Sequence, residues 1–176
     1  ISAQITVPNY EIDVYIFAVD KNGNVTYAKV TPDYTQRPQK PTIKVGDNVT
    51  ATVEEDTLIL TGTGYTYGNF LWRNLHVSSI KHIIVSNGIT SIGNSLFNEF
   101  RSVNTIELPA SLEFIDDRAF SRCRSLQSVV VPEGVTTIGK SIFDECNNLK
   151  SISFPSTLNT IPYLGGIGED DGLNIE

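Results

Sequence analysis

At 176 residues the chain has room for one medium domain or two small ones, and 40% hydrophobic with 19% charged residues is too apolar a composition for disorder. A formal net charge of -7 repels polyanions and disfavours nucleic acid and anionic lipid surfaces as partners. No apolar run is long enough to span a bilayer, and no charged-then-apolar leader is present, so membrane insertion is not expected and the start at Ile1 reads as a processed or excised fragment.

In chain order, the first signal is a pair of strands, residues 12–19 and 25–30, around the turn dipeptide Asn22-Gly23. Asp20, Asn22, Asn24 and Thr26 alternate oxygen side chains as a calcium loop does. Gly23, however, stands fourth instead of sixth, and Thr31 occupies the place of the closing acid, so a plain turn is expected and no metal. The hairpin, through its stretch from Ala18 to Asn24, resembles the last hairpin of an immunoglobulin-like or fibronectin-like module. Some 35 residues are too few for that sandwich. Either an upstream part has been cut away or these strands extend the cap of the downstream domain. Pro32, Pro38 and Pro41, set among Asp33, Gln36, Arg37, Gln39 and Lys40, read as a semi-rigid linker, which places a boundary after residue 41.

Residues 42–79 read as an N-terminal cap. Alternation over residues 49–53 and 58–60 predicts a second hairpin covering the open end of the segment that begins at Ile80, and Trp72, after Phe70 and Leu71, reads as an aromatic plug.

From Ile80 a 23-residue period dominates. Ile80, Val103, Leu126 and Leu149 open the units; Ile83, Ile106, Val129 and Ile152 come next, then Val85, Leu108, Val131 and Phe154. Pro109, Pro132 and Pro155 end each short strand by removing a ladder donor, with Ser86 in the first copy. A second extended piece carries Ile92, Ile115, Ile138 and Ile161, and the apolar spacing of Ile142, Phe143 and Cys146 predicts a short helical turn closing the unit. Residues 80–102, 103–125 and 126–148 are complete copies and 149–161 a partial one; after Ile161 the pattern is lost, so residues 162–176 read as an irregular tail. One unit alone leaves its apolar columns exposed, whereas stacked units merge them into a continuous core.

Two smaller columns accompany the stack. Gly93, Asp116 and Gly139 share a position where a left-handed backbone residue is expected, and Glu99, Arg122 and Glu145 alternate charge from one unit to the next. Cys123 and Cys146 share the inward column of Phe100 and read as buried inert thiols. They form no zinc motif, His76 and His82 lie beside no nucleophile motif, and no phosphate loop occurs, so no catalytic residue, metal or cofactor is expected. Glu169, Asp170 and Asp171 read as a solvated acidic tail.

The unit Leu126-x-x-Val129-x-Val131-Pro132, continued by Thr136-x-Ile138-Gly139 and Phe143-x-x-Cys146, resembles the BspA-type leucine-rich repeat of bacterial surface proteins. Val45-Gly46-Asp47-Asn48, residues 58–64 and Trp72 are similar to that family's N-terminal cap. The resemblance covers residues 42–161 and implies an open right-handed solenoid with a β-hairpin cap, exported to the cell surface or secreted, many such proteins being associated with adhesion. It also implies that the first strands line the concave face. The outward positions there are Lys81, Asn104, Gln127 and Lys150; His82, Thr105, Ser128 and Ser151; and Ile84, Glu107, Val130 and Ser153. Small and mostly uncharged, they suit broad contact with an extracellular protein or glycan, by a monomeric, non-catalytic module. The alternative is a structural spacer projecting another domain. Fold alone does not choose between them.

Overall fold

The computed structural model describes residues 14–19, 21–30, 42–68, 72, 75–158, 160–166 and 174–175. Two compact units divide the chain, Ile1–Gln39 and Lys40–Glu176.

In the first unit, β1 (Val14–Val19) and β2 (Val25–Val30) pair antiparallel from Val14 opposite Val30 to Val19 opposite Val25. Gly23, at φ 83°, takes the left-handed conformation that the connecting loop needs. Asp20 and the acidic run 169–171 lie outside the described residues.

The second unit begins with three antiparallel strands, β3 (Ile43–Lys44), β4 (Asn48–Glu54) and β5 (Thr57–Tyr65). Val49, Ala51, Leu58 and Leu60 point inward along the strand alternation and are fully buried. The nine-residue β5 is long enough to serve two sheets. Its first half pairs parallel with β6 (His82–Val85), and its last two residues pair with β7 (Ile89–Ile92), the register shifting between Gly64 and Tyr65. Antiparallel strands thereby meet the first turn of the solenoid.

Each subsequent unit of 23 residues makes one rung with three sides. The first side carries β6, then β8 (Thr105–Glu107), β10 (Ser128–Val130) and β12 (Ser151–Ser153). The second carries β7, β9 (Phe114–Ile115) and β11 (Thr137–Ile138). Partners sit 23 residues apart, as in Ile83 opposite Ile106, Ile92 opposite Ile115 and Val129 opposite Ile152. The two-residue β13 (Asn174–Ile175) pairs parallel with β12 at the same offset, Ser151 opposite Asn174. Between first and second sides, a turn closes from Leu112 N–H to the Pro109 carbonyl (3.0 Å) and from Val135 to Pro132 (3.0 Å).

The third side is a train of turns and contains no α-helix among the described residues. Leu96, Asn98 and Phe100 close i→i−3 bonds onto Gly93, Ser95 and Phe97, while the alternate residues Ser95, Phe97 and Glu99 donate across to Asp117, Ala119 and Ser121 of the next rung. A helix would turn all of these donors along its own axis; alternation sends every second one to the neighbour. Six left-handed non-glycine residues lie here, at Ser95, Arg118 and Ser141 (φ 53°, 54° and 56°) and at Glu99, Arg122 and Glu145 (φ 68°, 62° and 55°). They are not at Gly93, Asp116 and Gly139, where the sequence pattern places them. Those positions bring backbones together instead: a Cβ on Gly93 would lie 2.5 Å from the Tyr67 carbonyl oxygen.

Inside, one column runs the length of the stack. Trp72 stacks on Phe97 (6.3 Å between centroids), Phe97 on Phe120 (5.8 Å) and Phe120 on Phe143 (5.7 Å), and the Trp72 indole N–H donates to the Leu96 carbonyl. Phe100, Cys123 and Cys146 form the next column, all fully buried. The Cys123 and Cys146 thiols donate to the carbonyls of Phe97 and Phe120 at 3.3 and 3.2 Å. Burial pushes the Cys123 thiol well above its ordinary range and raises Cys146 to about 12.

Candidate binding face

Because β6, β8, β10 and β12 alternate inward and outward, His82, Thr105, Ser128 and Ser151 come into one outward row, and Ile84, Glu107, Val130 and Ser153 into the next. All twelve positions singled out in the sequence are half-buried or exposed; none belongs to the core. Val130 is 68% exposed.

Local chemistry differs along the rows. His82 Nδ1 lies 2.7 Å from the Thr105 hydroxyl one rung on. Lys81 Nζ faces Asp56 at 3.3 Å, so its charge is already matched at the cap end. Glu107 has no ion-pair partner among the described residues. The structure does not make one continuous sheet of this face: β8 pairs with β6 and β10 with β12, and no ladder joins β8 to β10. A cavity of about 540 Å³ lies there, lined by Thr105, Glu107, Ser128 and Val130 and by residues that the outward-column pattern passes over. Those are Ile106, Leu108, Ala110 and Pro132. Their columns read as core or turn; only the spacing between two rungs reveals them as walls.

The third side carries the charge alternation. Arg122 donates to Glu99 at 2.7 Å and to Glu145 at 3.0 Å, and Arg124 reaches Glu145 at 2.6 Å. The hydrogen bonds from Arg124 and Arg122 hold the Glu145 carboxyl below its usual range. Opposite the first strands, Tyr65 and Phe114 expose ring surface on the second side, two rungs apart with Ser91 between them. His76, exposed at the start of a three-residue 3-10 turn (Val77–Ser79), lies outside the face. No group of His, Cys, Asp and Glu fit to hold a metal occurs among the described residues, and no described helix is long and apolar enough to cross a membrane.

A stack of 23-residue rungs with parallel strands on two sides defines a leucine-rich-repeat solenoid. The family model for the BspA type leucine rich repeat region matches residues 72–164 in six copies, and the chain belongs to that family. Solved structures share the fold. A leucine-rich repeat protein from Eubacterium ventriosum superposes with a TM-score of 0.55 at 19% identity, over 79% of this chain and 40% of that one. The pneumococcal vaccine antigen PcpA gives 0.57 at 21% identity, over 72% and 34%. A leucine rich cell surface protein from Faecalibacterium prausnitzii gives 0.52 at 19% identity, over 75% and 38%. This chain therefore spans well under half the length of each of these three. A comparison with curated protein sequences finds no match.

Proposed function

We propose that the chain is a non-catalytic binding module of a bacterial cell-surface or secreted protein, presenting the first-strand face to an extracellular protein or glycan. The observation that carries this is the composition of that face: twelve outward positions, none buried, nine of them uncharged, six of those hydroxyl or amide side chains, with Ile84 and an exposed Val130 among them. Few charges need desolvating there, which favours broad contact summed over rungs. A cell-surface protein and a vaccine antigen among the structural neighbours support the location. We read the module as monomeric, without a cofactor, and not directed at nucleic acid, with residues 1–41 separate from the cap at 42–79 and the repeats at 80–161.

The experiment is a retention screen of the purified chain against extracellular-matrix proteins and a glycan array, with Val130→Asp as the control. At 68% exposure Val130 contributes little to the core, so this variant stays folded. Retention lost in Val130→Asp assigns adhesion to the face. No retention by either protein favours the second reading, a spacer projecting another domain, which the constant 23-residue offset of the rungs also suits.

A further inference from the structure

The first-strand face has a discontinuity for which the 23-residue period gives no reason. Asn104 N–H donates to the Lys81 carbonyl at 2.8 Å and Lys150 N–H to Gln127 at 2.9 Å; Val131 N–H donates to Ser153 at 2.9 Å. The equivalent bonds between the second and third rungs, from Gln127 to Asn104 and from Leu108 to Val130, are not made among these described residues. On the other two sides the same rungs stay fastened. β9 pairs with β11, and Arg118, Phe120 and Arg122 donate to Lys140, Ile142 and Asp144 at 3.0, 3.0 and 2.6 Å. The two rungs are thus joined on two sides and parted on the first, and the cavity sits at the parting.

Its walls have two characters. Val130, Leu108, Ala110 and Pro132 offer apolar surface, and Thr105, Glu107 and Ser128 offer oxygens. Glu107 is the sole charged residue in the lining, on a chain of net charge -7. Its carboxylate has no partner among the described residues, unlike Lys81 with Asp56 or Arg122 with Glu99. The unmade ladder bonds add main-chain donors and acceptors along both edges, and such groups require partners from water or a ligand.

We infer that this groove takes an extended peptide segment of a partner protein, carrying a lysine or arginine two positions from an apolar residue. Two residues is the strand period, so both side chains enter from the same face. Lying along the two strands, the peptide places its cation at Glu107 with the aliphatic stem against Val130, and its apolar side chain, one strand period on, against Pro132 and Ala110. A neutral glycan donates hydroxyls to the carboxylate but brings no cation to neutralise it, which favours the basic peptide. The inference rests on reading the first-strand face as a binding surface, and it names the class of partner.

The test titrates the labelled chain, followed by NMR, with two blocked peptides, Thr-Lys-Thr-Val-Thr and Thr-Glu-Thr-Val-Thr, and with a neutral cello-oligosaccharide. The expected result is that the lysine peptide shifts amides of residues 105–110 and 127–132, and that Glu107→Lys weakens it about fivefold and reverses the preference toward the glutamate peptide. Without peptide, the Gln127 and Leu108 amides should exchange faster than those of Asn104 and Lys150. Shifts elsewhere, equal response to both peptides, a stronger response to the oligosaccharide, or no response to either peptide overturns the inference. If a matrix protein is retained by Glu107→Lys but lost in Val130→Asp, the face reading stands and the groove inference falls; no retention by the unmodified chain removes the face reading itself.

Discussion

Phe97 and Phe120 stack with centroids 5.8 Å apart and planes 7° from parallel, so that each ring forms the floor of the next. Both are fully buried, and Phe120 carries Phe143 on its other face. In a solenoid each rung touches only its neighbours, and an interruption in this column separates the rungs on either side energetically. Phe120→Ala should cost about 3–5 kcal/mol in denaturant unfolding. It should also make amides from the third rung onward exchange independently of those around Trp72. Phe114→Ala, at a site 36% exposed on the second side, should cost less than half as much, about 1 kcal/mol. Equal effects of the two substitutions would remove the ring column as the mechanical spine of the fold.

The glycine column holds neighbouring backbones in close approach. Gly139 is not at positive φ, yet a Cβ added there would lie 2.5 Å from Asp117 Oδ1 and still closer to the Asp117 backbone nitrogen. Asp117 Oδ1 also accepts from Lys140 N–H at 2.7 Å, so it cannot move aside without losing a cross-rung bond. Gly139→Ala should therefore destabilise by about 1–3 kcal/mol, read from a thermal or urea midpoint. A neutral or stabilising result, as expected of glycine replacement in unhindered backbone, would show that the rungs separate freely here.

Charge alternation on the third side sets a pH dependence. Glu145 is lowered by hydrogen bonds from Arg124 first and Arg122 second, and these require the carboxylate form. A carboxyl depressed in the folded state contributes stability above its unfolded range, and that stability is lost as pH falls through the folded value. Arg122→Ala should move the Glu145 carboxyl up toward its ordinary range in an NMR titration and reduce the acid dependence of the melting temperature. Because the groups are solvent-exposed, raising salt should shrink the difference between variant and parent. An unchanged Glu145 titration would mean that Arg124 alone holds it.

The thiols run in the opposite direction. Burial raises Cys123 well above the ordinary thiol value and Cys146 to about 12. Groups raised on folding contribute stability below their unfolded value and lose it as pH climbs through the folded one. Native protein at pH 8 should resist alkylation by iodoacetamide and react at both sites only when denatured, with stability falling above pH 9. Rapid labelling of the native chain would contradict the closed packing of the Phe100, Cys123 and Cys146 column.

Much of this architecture is set by residue order. The interval from Ile83 to Ile106, repeated at Val129 and Ile152, fixes the rung length and register, because identical apolar positions stack best on themselves. The same repetition pairs Glu99, Arg122 and Glu145 across rungs and buries both cysteines. The hairpins around Gly23 and over β4 and β5 come from alternation and turn chemistry. These are properties of spacing, and a linear sequence records spacing directly.

Tertiary structure alone decided what depends on how closely backbones approach. The apolar spacing of Ile142, Phe143 and Cys146 fits a helical turn, yet the rung forms linked turns because alternate amides on the third side find carbonyls in the next rung. For the same reason the left-handed residues are Glu99, Arg122 and Glu145 rather than the glycine column. β13 rejoins the stack at Asn174 and Ile175 with little apolar pattern to announce it. The parting between β8 and β10, which turns Leu108, Ala110 and Pro132 into groove walls, arises from the separation of two rungs whose sequences share the template of their neighbours. Periodicity states which residues are stacked; only the packed chain decides where a stack opens.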